Sequence, residues 1–471
     1  MTFEKAPPKR DTVNPKKLLE FMMKDWKPQS SELPAPHPQA AVFAARRQAL
    51  AAKFPGETLI IPTGHEVTRA NDTHFRFRPG SDFFWLTGNL EPDCVLVLTR
   101  DRATLFVEPN PGRSSETFYT DRKKGELWVG PRFGVPQSAA YFGLDAKPLG
   151  ELEQFLSNYP LARVLRGMSA YVDGLRSPSH ERPGDKELAA AISELRLIKD
   201  ALEIEELRKV TQSTKRAFED VIRSFGKAKS EREVEGLFNL RARVEGNDVG
   251  YGTIAAAGAH ACILHWTNNN GALRDGDLLL LDAGVEGHAL YTADITRTLP
   301  LNGAFSPEQA AIYDLVWRAQ QAALEAVKPG NDFMEPNRRA QRVLAEGLVK
   351  LGILKVSAEE ALKDEHQFHK RYTLHNVSHM LGLDVHDCAR AREEVYRYGP
   401  LREGMVLTVE PGLYFQLDDL TVPEKYRGIG VRIEDDVLVT ANGFENLSAD
   451  IPSESRAVEQ WISDVRAGGA R

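Results

Sequence analysis

The sequence predicts a two-domain protein of mixed α and β structure, an α/β domain followed by a larger α+β domain with an internal duplication. Three observations carry this expectation. A chain of 471 residues, 42% of them apolar, exceeds one ordinary core and suffices for two. Strand-like and helical stretches alternate through the first part, as in an α/β domain. In the second part, Gly276-Asp-Leu-Leu-Leu-Leu-Asp282-Ala-Gly284 and Gly404-Met-Val-Leu-Thr-Val-Glu410-Pro-Gly412 share a turn glycine, an apolar strand, an acid and a closing glycine.

Residues 1–36 are rich in Pro, Lys and Ser and form an N-terminal arm, interrupted by the short amphipathic piece Lys16 to Trp26. Composition favours a mobile or surface-draped tail over an oligomer contact. From Gln39 the stretch A-V-F-A-A-R-R-Q-A-L-A-A-K reads as helix, and E-T-L-I-I-P, C-V-L-V-L-T and T-L-F-V-E read as strands. Between Lys186 and Phe225 the pattern is helical with few breakers, and Asp200 is placed to cap the second of two helices. This sets a boundary near residue 195, giving domains 37–195 and 196–471.

Composition excludes several classes of function. A net charge of -7, with Lys and Arg scattered, offers no basic stripe for a phosphate backbone, so nucleic acid is not an expected partner. Cys94, Cys262 and Cys388 are odd in number and widely spaced, which fits idle thiols in a reducing compartment. The N-terminus lacks an apolar leader and no stretch reaches the length of a membrane span, so a cytoplasmic enzyme is expected. There is no G-x-S-x-G elbow or phosphate-binding loop, and G428-I-G-V-R-I lacks the last glycine of a dinucleotide turn.

Each repeated strand is followed by a further acid, Asp294 in A-D-I-T-R-T and Glu434 in R-I-E-D-D-V. Duplication then predicts two carboxylates from antiparallel strands in each half, facing each other. Buried carboxylates neutralise unless positive charge compensates them, and nearby bases are few, chiefly Arg297 and Arg432. Two divalent cations balance Asp282, Asp294, Glu410 and Glu434, and one neutral imidazole completes the set without adding charge. Candidates for it lie in H375-N-V-S-H379-M-L-G-L-D-V-H386-D, three of the chain's 12 histidines, with His265 in C-I-L-H-W-T. The cluster is not H-E-x-x-H, since Asn376 stands in the place of its Glu. An oxygen-rich site of this kind suits Mn²⁺ or Co²⁺, with Zn²⁺ as a further option. Two such ions activate a bridging water and polarise a carbonyl, so the implied reaction is hydrolysis, with Glu410 as general base. Histidines that hold no metal then stabilise the oxyanion or manage the leaving amine.

These motifs resemble the Xaa-Pro aminopeptidases (aminopeptidase P) of the creatinase/prolidase "pita-bread" metallopeptidase family. L-H265-W-T-N, D282-A-G, T-A-D294-I-T-R-T-L-P, the His375 to His386 segment, G-M-V-L-T-V-E410-P-G-L-Y and Y-R-G-I-G-V-R432-I-E434-D-D-V stand in family order, and the resemblance runs from about Gln39 to Thr440. It implies a creatinase-like N-terminal domain and a pita-bread catalytic domain with a pseudo-twofold axis. It further implies that Asp294 and Glu434 bridge two metals, that Asp282 completes one, and that His379 with Glu410 completes the other. His265, His375 and His386 would then contact substrate or support the ligands. Through E66-V-T-R-A-N-D72, Asp72 would reach the active site or a neighbouring subunit, with Tyr414 and Arg432 near the substrate. Phe84 stands where similar enzymes often carry a pocket-lining Trp, and 109–124 is an insertion after the third strand, so the rim departs from the family pattern.

Within the family, R-G-I-G-V-R-I-E-D-D-V and D-V-H-D-C resemble aminopeptidase P more than prolidase, the Xaa-Pro dipeptidase, which is the alternative. A metal-free binding protein on the same fold would normally lose ligands, and all five are present. The expected partner is a peptide with Pro second, and a homo-oligomer, dimer or tetramer, is the expected assembly.

Overall fold

The computed structural model describes residues 14–27, 32–175 and 182–468. Parts of the expected N-terminal arm, 1–13 and 28–31, lie outside these. The chain forms two compact units, 1–195 and 196–471.

In the first unit a five-stranded sheet runs in the order Asp145–Pro148, Ala103–Val107, Val95–Leu98, Leu59–Pro62, Arg163–Val164. The three central strands pair antiparallel, and both edge strands add in parallel. Ile60, Val95, Val97 and Phe106 pack against Leu152, Leu156 and Val172 on one face. The helix Ala40–Lys53 buries Arg46 and Arg47, which is tolerable because each guanidinium donates to a main-chain carbonyl near the end of helix Ser81–Thr87, Trp85 O at 3.1 Å and Leu86 O at 2.8 Å. Described residues of the arm are not a loose tail. Helix Lys16–Met22 seats Leu19 on Phe118 and Tyr119, the Tyr119 hydroxyl is shared between Met22 O and Arg113 O, and the Arg113 guanidinium lies 4.4 Å from the Trp26 ring. The inserted segment therefore supplies the apolar surface that a composition argument could not see.

The second unit repeats one plan twice. Helices Ala201–Arg223 and Glu231–Glu245 precede a sheet of Ile254–Ala257, Leu278–Ala283 and Ile295–Pro300, with Leu278–Ala283 central. Helices Pro307–Leu324 and Glu335–Lys350 precede a sheet of Val406–Val409, Asp435–Thr440 and Gly443–Asn446, with the hairpin Gly412–Tyr414 and Gly430–Arg432 beside it. Asp200 caps the first helix through a reciprocal box with Glu203. Along that helix Val210, Ala217, Phe218, Val221 and Ile222 recur at helical spacing and enter a core continuous with both sheets. The sheets are stitched at their centre, where Thr296 and Glu434 form a bridge and Glu434 N donates to Thr296 O at 3.1 Å.

Closing glycines of the two repeats have steric causes. A Cβ on Gly284 would stand 1.7 Å from Ala293 O, so only glycine lets the segment leading to Asp294 lie against the strand that carries Asp282. On Gly412 it would stand 2.3 Å from the Tyr414 hydroxyl.

Candidate active site

Strand ends bring the expected acids together. Asp282 lies on Leu278–Ala283, paired with Thr296 of the antiparallel neighbour, and Asp294 immediately precedes that neighbour. Glu410 follows Val406–Val409, and Glu434 sits between Gly430–Arg432 and Asp435–Thr440. His379 adjoins Met380, which bridges to Leu407 of the same strand that leads to Glu410. One ligand atom each from Asp294, His379 and Glu434 falls within 4.8 Å of the others. His379 Nε2 lies 3.3 Å from Asp294 Oδ2 and 3.6 Å from Glu410 Oε1. Its Nδ1 lies 3.1 Å from the Met380 carbonyl, which fixes a proton there and aims Nε2 at the acids, the atom that donates to Asp294 without metal and would be free to bind an ion once deprotonated.

These groups floor a cavity of about 510 Å³ whose walls include Ile254, Leu264, Val385, His265, His375 and His386. All of them belong to the second unit. The His375 Nε2 meets the Tyr414 hydroxyl at 2.8 Å, and Arg432 Nη1 donates to that hydroxyl at 3.0 Å. Arg432 Nη2 donates to Asp282 Oδ2 at 2.5 Å, and the rings of His379 and His386 meet edge to face at 4.5 Å.

Electrostatics show a site short of positive charge. Burial pushes the Glu410 carboxyl up to about 7 against the pull of the His379 imidazole. Burial, then the Asp294 charge, drives Glu434 well above the carboxylate range, and burial raises Asp294 also. Burial on its own would lower His379, but its hydrogen bond to Asp294 and the charge of Glu410 lift it to about 9. His375 moves the other way, to about 4, because burial and the Arg432 guanidinium both oppose its charging. Protons thus stand where cations would remove the repulsion, and the donor set of four carboxylates and one imidazole fits two hard divalent ions.

Of the two bases named as nearby from sequence, only Arg432 reaches the acids. Arg297 is completely buried on the other face of its strand, where it donates to Asp435 Oδ1 at 2.6 Å and to the carbonyls of Ile451, Pro452 and Glu434. The reason is strand alternation, since Glu434 and Asp436 share one face and Asp435 takes the other. In the first unit, Asp72 is exposed on the turn between Thr68–Ala70 and Thr73–His74 and pairs with Arg122 of the insertion at 3.3 Å, while Phe84 is buried 6.4 Å from the Phe43 ring.

Tyr251 was missed from the sequence. Its hydroxyl is shared between Asp282 Oδ1 at 2.6 Å and Asp294 Oδ1, so it holds two acids of one half in register. A single tyrosine in a loop ahead of I-A-A-A carries no spacing signal. Tyr251→Phe removes one O–H and little volume, and it should weaken metal binding by about 10 to 100-fold, as loss of a ligand's hydrogen-bonding partner does. Metal titration of the variant tests this, and unchanged affinity would deny Tyr251 that role.

Fold and site together define a metal-dependent exopeptidase. Residues 205–441 match Metallopeptidase family M24, and residues 43–163 match the Aminopeptidase P, N-terminal domain. The chain is 50% identical to Xaa-Pro aminopeptidase 1 of Streptomyces coelicolor over 457 residues, covering 95% of this chain and 92% of that protein. It is 36% identical to the Xaa-Pro aminopeptidase of Escherichia coli, covering 90% and 98%. The solved structure of E. coli aminopeptidase P with the inhibitor Pro-Leu superposes with a TM-score of 0.82 at 34% identity, covering 92% of this chain and 100% of that one. An aminopeptidase of Pseudomonas aeruginosa superposes at 0.80 with 34% identity, covering 92% and 99%. The chain belongs to the aminopeptidase P branch of metallopeptidase family M24. Among the described residues no helix is long and apolar enough to cross a membrane.

Proposed function

We propose that the chain is a dinuclear Xaa-Pro aminopeptidase, which hydrolyses the bond between the first residue of a peptide and a proline in second position. The observation that supports this most is the convergence of four carboxylates and His379 on the floor of a cavity walled by three further histidines. Asp294 and Glu434 would be shared by the two ions, with Asp282 held to one and His379 with Glu410 to the other. Bound there, divalent ions supply Lewis acidity and lower the pKa of an attacking water. Mn²⁺ is the expected metal, with Co²⁺ and Zn²⁺ as alternatives for an oxygen-rich set.

The chain's own residues supply proton transfer and substrate grip. Glu410 takes a proton from the attacking water and passes it toward the leaving proline nitrogen. His375 stays neutral near pH 7 and can hydrogen-bond without bringing a competing charge, helped by the Tyr414 and Arg432 contacts that orient it. The bond before proline lacks an N–H and its ring restricts φ, so the site must read the ring itself. His265, His375 and His386, with apolar neighbours Ile254, Leu264 and Val385, offer such a surface. Asp282 lies near the place for the free amine, Tyr414 and Arg432 near the outgoing chain, and Asp72 is assigned to closing the amino-terminal end. Domains 37–195 and 196–471 follow an arm of residues 1–36, with catalysis in the second. The assembly is a homo-oligomer, dimer or tetramer, in the cytoplasm.

Cleavage of Xaa-Pro-Yaa against Xaa-Pro peptides, with Mn²⁺ restored, tests the reading. Tripeptides should be cut between Xaa and Pro at least as fast as dipeptides, and N-acetylated peptides should resist. Hydrolysis of dipeptides alone would make the enzyme a prolidase.

A further inference from the structure

One buried carboxylate outside the cavity ties down the segment that carries His265. Glu231, the first residue of helix Glu231–Glu245, has no solvent exposure. Its Oε1 accepts from Ala257 N at 2.8 Å and lies 2.8 Å from His260 Nδ1, which must therefore carry the proton and donate. Its Oε2 accepts from Trp266 Nε1 at 2.8 Å and from Gly271 N at 2.6 Å. Four donors converge on one carboxylate, and all come from residues 257–271. The His260 and Trp266 rings stack with centroids 3.9 Å apart, so two of the donors also brace each other. A Cβ on Gly271 would stand 2.7 Å from both Glu231 Oε2 and His260 Nδ1, so glycine is required for this approach.

Within this braced segment, His265 lies between Leu264, on the cavity wall, and Trp266, on Glu231. The His265 ring makes no hydrogen bond to another described residue, so its place is set by the backbone that holds it. That backbone is fastened again at Asn269, whose Oδ1 accepts from Ala255 N at 3.0 Å and whose Nδ2 donates to Thr253 O at 2.8 Å. Asn269 adopts a left-handed conformation, with φ of 45°, which these bonds hold in place. Carboxylate chemistry is specific to the task. A glutamine would turn an NH₂ toward two N–H donors and leave them unpaired in a buried site.

We propose that Glu231 is a positioning residue for His265, fixing through Trp266, His260 and Gly271 where that imidazole stands over the substrate. This rests on the assignment of His265 to substrate contact. Displacing a catalytic-site group by about 1 Å costs on the order of 10²-fold in rate, and a brace of four hydrogen bonds is a means of preventing it.

A double-mutant cycle on the metal-loaded enzyme tests the proposal. kcat, KM and bound metal would be measured with an Xaa-Pro-Yaa peptide for Glu231→Gln, Trp266→Phe, His265→Ala and the two doubles with His265→Ala. Glu231→Gln should lower kcat by about 10²-fold with metal content unchanged, and Trp266→Phe, which loses one hydrogen bond, by about tenfold. Both effects should shrink to within about twofold once His265 is alanine, because coupled sites are not additive. Losses as large in the His265→Ala background as in the native one would overturn the proposal and leave Glu231 with a fold-only role. If Glu231→Gln does not fold, the Trp266→Phe cycle decides by the same criterion. Native kcat and KM in His265→Ala would instead remove His265 from substrate contact, and the proposal with it.

Discussion

Glu434→Ala should bind fewer than two ions per chain at saturation and lose about three to four powers of ten in kcat, the several kcal/mol that metal charge supplies to such transition states. The expectation rests on position. Glu434 is buried at the stitch between the two sheets, its Oε2 accepts from Thr296 Oγ1 at 2.6 Å, and its carboxylate shares a ligand-sized cluster with Asp294 and His379. Elemental analysis with parallel kinetics checks it, and a variant that retains two ions would refute the bridging role. Stability should report the same charge shortage. In protein stripped by a chelator, the folded state binds protons that the unfolded chain does not. Glu410 is raised from an ordinary 4.5 to about 7, so its contribution is fully present below about pH 4.5 and lost as pH rises through 7. His379 is raised from 6.5 to about 9, so its contribution is present below about pH 6.5 and lost through 9. Stripped protein should therefore weaken from about pH 5 to pH 8, while ions that replace those protons remove the penalty. The gain in Tm on adding Mn²⁺ should widen over that range. A gain that narrows with rising pH would show that these groups do not hold the metal.

What the sequence revealed of the site follows from what local pattern can encode. Asp282, Glu410 and their closing glycines stand in repeated nine-residue segments, so one half announces the other. His379 is visible because histidines cluster around it. Tyr251 is separated from Asp282 by the strand Ile254–Ala257, a short 3-10 turn and a long loop, and nothing near it in the chain states that its hydroxyl will meet two carboxylates. Glu231 is hidden for the same reason, being one of many acids in a charged helix start whose four partners lie 26 to 40 residues away. The run Glu434, Asp435, Asp436 shows the limit from another side. Strand alternation predicts that the middle acid turns away, yet only the fold shows that Arg297, Gln320, Ser448 and Asn446 are waiting for it, while Asp436 Oδ2 accepts from Asp294 N at 3.2 Å. Where the arm seats was not legible, because composition weighs Pro, Lys and Ser but knows nothing of Phe118 and Tyr119 in a distant insertion.

Glu410→Gln should separate chemistry from metal binding, because it keeps the side chain's shape and one ligand oxygen while removing the capacity to accept a proton. The two oxygens of Glu410 already point to different partners, Oε1 3.6 Å from His379 Nε2 and Oε2 3.5 Å from His375 Nδ1. One oxygen thus faces the His379 imidazole and the other the His375 imidazole, an arrangement that would suit a group binding an ion with one atom and exchanging a proton with the other. A carboxylate held beside an attacking water can take its proton, and glutamine cannot. The variant should retain bound metal and a KM within a few-fold of native, and lose about two to four powers of ten in kcat, the usual worth of a general base. Its residual rate should also lose the acid limb of the pH profile, since a proton on Glu410 would remove the base from the native enzyme and glutamine has none to lose. An unchanged acid limb, or a kcat within about tenfold of native, would move the base to another group. His375, 3.5 Å away and neutral at the working pH, would then be the residue to replace next.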